Sequence, residues 1–80
     1  MKYKINLFGI TKDIVGNNIT EIDMEQLSDV QTVLNRLKLI FPKLQAIKSL
    51  MVAVNSEYAE GDLLLTEQDE IALIPPVSGG

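Results

Sequence analysis

The sequence predicts an α+β fold in which a mixed sheet of four to five strands packs on one main helix. Three patterns predict it: two alternating segments at the start, one helical apolar stripe in the middle, and a series of short apolar runs closing at Ile74. At 80 residues, with 46% hydrophobic residues, there is material for one core and one domain, expected to span residues 1–74.

Residues 1–8 place Tyr3, Ile5 and Leu7 on one face and Lys2, Lys4 and Asn6 on the other, the period of a half-buried strand. Residues 9–18 read as a loop whose turn signal is Gly16-Asn17-Asn18. A second strand follows, with Thr20, Ile22 and Met24 opposite Glu21 and Asp23, and the two strands suggest a hairpin. Ser28-Asp29-Val30-Gln31 has the form of a capping box. Behind it Val30, Val33, Leu34, Leu37 and Phe41 recur at helical spacing, and Pro42 disfavours helical geometry at Phe41. Pro42 then opens a short helical turn carrying Leu44 and Ile47.

The continuous apolar run at 50–54 is expected to be a buried strand, 57–59 a very short one, and 63–65 another short apolar run. Thr66-Glu67-Gln68-Asp69 is a polar turn before the last strand at 71–74. Two strands, a helix and two or three more strands is the order of a β-grasp.

Composition narrows function by exclusion. Histidine and cysteine are both absent, so no thiolate or imidazole is available as nucleophile, general base or metal ligand. The carboxylates show no metal-loop spacing, and no metal site is expected. The net charge of −4 argues against nucleic acid and anionic membrane as partners. No apolar segment reads as a signal peptide or spanning helix, and a cytoplasmic location is expected.

Attention therefore falls on the tail, residues 75–80. Pro75 and Pro76 fix φ and remove two donors, which predicts a stiff extended arm. Gly79 and Gly80 make its tip the thinnest backbone available, suited to a narrow tunnel in another protein. A frayed terminus would carry the same two glycines, so the diglycine gains weight only alongside the prolines and the element order. Phe8, Ile74 and Val77 are candidate apolar contacts; for Phe8 and Ile74 a place in the core is an equal alternative. Tyr58 with Asn55 reads as a turn element. All seven basic residues fall at or before Lys48, and six carboxylates follow it. Those carboxylates read either as a solvated acidic surface or as an acidic face from which the tail emerges and which steers onto basic partner surfaces.

The chain resembles the small subunit of molybdopterin synthase, within the wider ubiquitin-like, β-grasp group of sulfur carriers. The resemblance runs along essentially the whole chain. It is most specific from Val54-Asn55-Ser56-Glu57-Tyr58 through Asp69-Glu70-Ile71-Ala72 to Ile74-Pro75-Pro76-Val77-Ser78-Gly79-Gly80. Phe8-Gly9, Lys12-Asp13 and Gly16 give a looser match; Ile74 stands where many members carry Phe, Thr11 where they have Leu, and Lys12-Asp13 where they often have Arg and Glu.

The resemblance implies a carrier that is not catalytic alone. An adenylating activating enzyme would use ATP on the Gly80 carboxylate, and a sulfur donor would convert it to a thiocarboxylate. The synthase large subunit would take the tail, with Ile74, Pro75, Pro76, Val77, Ser78 and Phe8 as contacts, and sulfur would pass from Gly80 to a pterin precursor. No cofactor would be held permanently. The alternatives are a carrier for another pathway such as thiamine, a ubiquitin-like modifier conjugated through Gly80, and an interaction module with an inert tail.

Overall fold

The computed structural model describes residues 1–76. In chain order it contains β1 (Lys2–Leu7), α1 (Gly9–Val15), β2 (Ile19–Asp23), α2 (Val30–Ile40), a 3₁₀ turn (Pro42–Ala46), β3 (Met51–Val54), β4 (Glu57–Tyr58) and β5 (Ile71–Ile74). The sheet order is β2-β1-β5-β3-β4. β1 and β5 pair in parallel at its centre, while the β1–β2, β3–β5 and β3–β4 pairs are antiparallel. This is the mixed sheet that the element order predicts, with five strands.

One face of the sheet makes the core. Tyr3, Ile5 and Leu7 of β1, Ile22 of β2, Val52 and Val54 of β3, and Ile71 and Leu73 of β5 are buried against Val30, Val33, Leu34 and Leu37 of α2. Leu44 from the 3₁₀ turn and Leu65 close the two ends. Pro42 ends α2 as predicted: Phe41 is its C-cap, and the amide of Phe41 still donates to the Leu37 carbonyl at 2.8 Å.

Four readings need correction. Residues 9–15, read as loop, form α1. Its start is tied by Thr11, whose hydroxyl donates to the Phe8 carbonyl at 2.6 Å and accepts from the Phe8 amide at 3.1 Å. Its end is Gly16, at φ +90, whose amide donates to the Lys12 carbonyl.

The N-cap of α2 is Asp29, not Ser28. The Asp29 carboxylate accepts from the Thr32 amide at 2.8 Å, whereas the Ser28 hydroxyl donates to the Gln26 carbonyl and Gln31 pairs with Asn35. Ser28 is held elsewhere by its backbone: its amide donates to the Tyr3 hydroxyl, and its carbonyl accepts from the Leu65 amide.

β3 is buried on one face only; Met51 is 46% exposed and Ala53 half-buried. The run at 63–65 is not a strand but a single bridge of Leu64 to Asp29, with Leu65 alone turned into the core. The short β3–β4 hairpin turns through Asn55 and Ser56, both at positive φ, which bears out the turn reading of Asn55. Among the described residues no helix is long and apolar enough to cross a membrane.

Candidate functional site at the root of the tail

β5 delivers the chain to Pro75 from the centre of the sheet. Its last residues pair on one side with β1, Leu73 opposite Leu7, and on the other with β3, Ile74 opposite Met51. The two ordered neighbours fix the direction in which Pro75 and Pro76 leave. Because β1 runs parallel to β5, the residues that follow β1 lie beside those that follow β5. Gly9 therefore stands against Pro75, and a Cβ on Gly9 would lie 3.2 Å from Pro75 Cγ. Gly9 also sits at φ +55, so both conformation and space favour glycine there.

Around this contact lies an open depression of about 770 Å³. Its walls are Phe8 and Ile10 before and within α1, Ala46 and Ile47 at the end of the 3₁₀ turn, and Ile74, Pro75 and Pro76, with Lys48 among them. Phe8 is 50% exposed and Ile10 52%. Phe8 thus lies outside the core, and Ile74 is half-buried on the open side of β5. Of the predicted contact residues, the structure brings Phe8, Ile74, Pro75 and Pro76 together. Val77, Ser78, Gly79 and Gly80, and with them the expected stiff arm and its tip, lie outside the described residues.

Sequence reasoning missed Gly9, Ile10, Ile47 and Lys48 as neighbours of the tail. A usable signal was present for α1: Ile10 and Ile14 are spaced as i and i+4, between Gly9 and the Gly16 stop.

The charge at this end opposes the expectation. Lys12 is exposed on α1, Lys38 lies in the last turn of α2, Lys43 is exposed on the 3₁₀ turn, and Lys48 lines the depression; Asp13 is the acidic residue of α1. The six carboxylates that follow Lys48 gather at the other end of the sheet. Val54 pairs with Ile71 there, the Asn55 amide donates to the Glu70 carbonyl, and Glu57 stands opposite Val54. Glu60 and Asp62 flank Gly61, whose carbonyl accepts from the Gln31 amide at the start of α2. Glu67 accepts from the Lys2 amide at the start of β1. The tail root thus leaves a basic pole, and the expected acidic face is at the far end.

Asp69 anchors that far end. Its carboxylate accepts from the Thr66 amide at 2.8 Å and the Asn55 side-chain amide at 3.0 Å, and these bonds hold it below the usual carboxylate range, Thr66 most strongly. Asp29 is lowered likewise by hydrogen bonding with Thr32. Among the described residues no group of three or more His, Cys, Asp or Glu is placed to hold a metal ion.

Comparison with known proteins agrees along the whole chain. The model of the ThiS family matches residues 5–80. The molybdopterin synthase sulfur carrier subunit of Arabidopsis thaliana is 35% identical, over 100% of this chain and 84% of that protein. The protein of the same name from Caenorhabditis elegans is 39% identical, over 96% of this chain and 95% of its own length. Among solved structures, SAMP1 from Haloferax volcanii superposes with a TM-score of 0.83 at 26% identity, covering 100% of both chains.

Proposed function

The chain belongs to the ThiS family, and from that premise we propose that it is a sulfur carrier serving as the small subunit of a molybdopterin synthase. The observation that carries this reading is the near full-length likeness to two proteins named as molybdopterin synthase sulfur carrier subunits. The family match continues through Gly80, which supports Gly79 and Gly80 as the working end.

In the proposed reaction the Gly80 carboxylate attacks the α-phosphorus of ATP on an activating enzyme, releasing pyrophosphate and leaving an acyl-adenylate. Sulfide supplied by a donor adds to the acyl carbon, AMP departs, and Gly80 becomes a thiocarboxylate. The tail then enters the large subunit, where the terminal sulfur bonds to a carbon of a pterin precursor and water cleaves the acyl–sulfur bond, leaving sulfur on the precursor and returning Gly80 to a carboxylate. This chain supplies the reacting terminus and its delivery; with no histidine or cysteine of its own, it leaves proton transfer and sulfur activation to its partners. Phe8, Ile74, Pro75 and Pro76 form the apolar collar at the tail root that such a partner would cover.

Intact mass of the untagged protein tests the proposal. Incubation with activating enzyme, ATP and a sulfur donor should add about 16 Da, the replacement of one oxygen by sulfur at the acyl group. No gain in mass would refute it, and isopeptide adducts on lysines in its place would establish the modifier reading.

A further inference from the structure

We propose that the tail-bearing pole docks on an activating enzyme whose tail-accepting cleft is rimmed by carboxylates, and that the acidic pole of this chain faces away from it. The inference rests on the carrier reading and specifies the chemistry of its partner.

Direction decides which charges a docked partner meets. A net charge of −4 by itself predicts attraction to a basic partner. That sum hides a separation along the strands. Lys48 lines the depression at the tail root, Lys12 lies a turn beyond Gly9, and Lys43 is exposed beside the end of α2. At the other end Glu57, Glu60 and Asp62 are exposed, and Asp69 is fixed by Asn55 and Thr66.

A tail that enters a cleft brings its root within a few ångströms of the rim, while the far pole stays a sheet length away. At physiological ionic strength exposed charges are screened beyond about 8 Å, so the near pole dominates the docked complex. Lys48 on the apolar collar, with Lys12 and Lys43 exposed on the adjoining α1 and 3₁₀ turn and Asp13 the one acidic residue of α1, calls for exposed carboxylates beside an apolar surface.

The test follows association of the untagged chain with its cognate activating enzyme by stopped flow, at low salt and at high salt. Lys12→Glu/Lys43→Glu/Lys48→Glu should slow association roughly tenfold or more at low salt, with the difference fading at high salt. Glu57→Lys/Glu60→Lys/Asp62→Lys should leave the rate unchanged or raise it. The opposite ordering, or equal rates for all three proteins, overturns the proposal.

Circular dichroism checks that each variant is folded. If the lysine triple variant is not, Lys48→Glu alone should slow association about two- to threefold, and a parental rate again overturns the proposal. Intact mass separates the two levels. A parent chain that never gains sulfur removes the carrier reading and this inference with it. A parent chain that gains sulfur, with lysine variants that bind at its rate, removes this inference alone.

Discussion

Tyr3→Phe isolates one hydroxyl that ties three parts of the chain together. The Tyr3 ring is fully buried, and its hydroxyl donates to the Leu65 carbonyl at 2.9 Å while accepting from the Ser28 amide at 3.1 Å. Phenylalanine fills the same space, so the change removes the two bonds and little packing. It leaves a buried N–H and a buried C=O without a partner, each costing about 1–3 kcal/mol. Relief of the hydroxyl's own desolvation offsets part of that, and a net loss of about 2–4 kcal/mol is expected. A domain of this size has roughly 4–12 kcal/mol in total.

Urea unfolding should therefore show a midpoint lower by about 1.3–4 M, at a slope of roughly 1–1.5 kcal/mol per M. Tyr58→Phe is the control: Tyr58 is 66% exposed, and its change should stay within about 0.5 kcal/mol. Because Tyr3 is bonded at the pole away from the tail, the folded Tyr3→Phe protein should still gain the thiocarboxylate mass. A loss below about 0.5 kcal/mol, equal to that of the control, would refute the account of this network.

Gly9→Ala and Gly16→Ala form a matched pair, since both glycines have positive φ but only Gly9 has a neighbour, Pro75. Each should lose about 1 kcal/mol by urea titration, while only Gly9→Ala slows thiocarboxylation. Leu44→Ala, at a fully buried site, should lose about 2–5 kcal/mol in the same titration. Asp69 has a folded pKa below its ordinary 3.8, so its stabilisation is full above that value and lost as pH falls through the folded pKa. Acid titration of Asp69→Asn should accordingly show a shallower loss of stability below about pH 4 than the parent. One residue added after Gly80 should abolish sulfur loading in the mass assay and leave the circular dichroism spectrum unchanged.

Legibility tracked how local each cause is. β1, β2 and α2 were readable because burial of one face writes a period of two or 3.6 into the chain, as in Tyr3, Ile5 and Leu7 or Val30, Val33, Leu34 and Leu37. α1 was not, because seven residues give barely two turns, and its start is fixed by Thr11 bonding back to Phe8 and not by a recognisable cap. Ser28 and Asp29 are both good caps in isolation; the choice between them is made by Tyr3 and Leu65, 25 and 37 residues from Ser28. Gly9 and Pro75 lie 66 residues apart and meet only through parallel pairing of β1 with β5.

Strand direction also explains why the charge reading failed. In the linear sequence six carboxylates share the last part of the chain with the tail, and proximity in sequence suggests proximity in space. β5 undoes that suggestion: it begins beside Glu70 and Asn55 and ends beside Met51 and Phe8, carrying the chain from one pole to the other in four residues. The lysines reach the tail by the opposite route. α2 starts at the acidic pole, where Gln31 bonds to Gly61, and its C-terminal end leads through the 3₁₀ turn, where Lys43 is exposed, to Lys48 on the wall of the depression at the root. A parallel central pair and an antiparallel β3 thus sort the charges by topology, and a partner that takes the tail meets the lysines first.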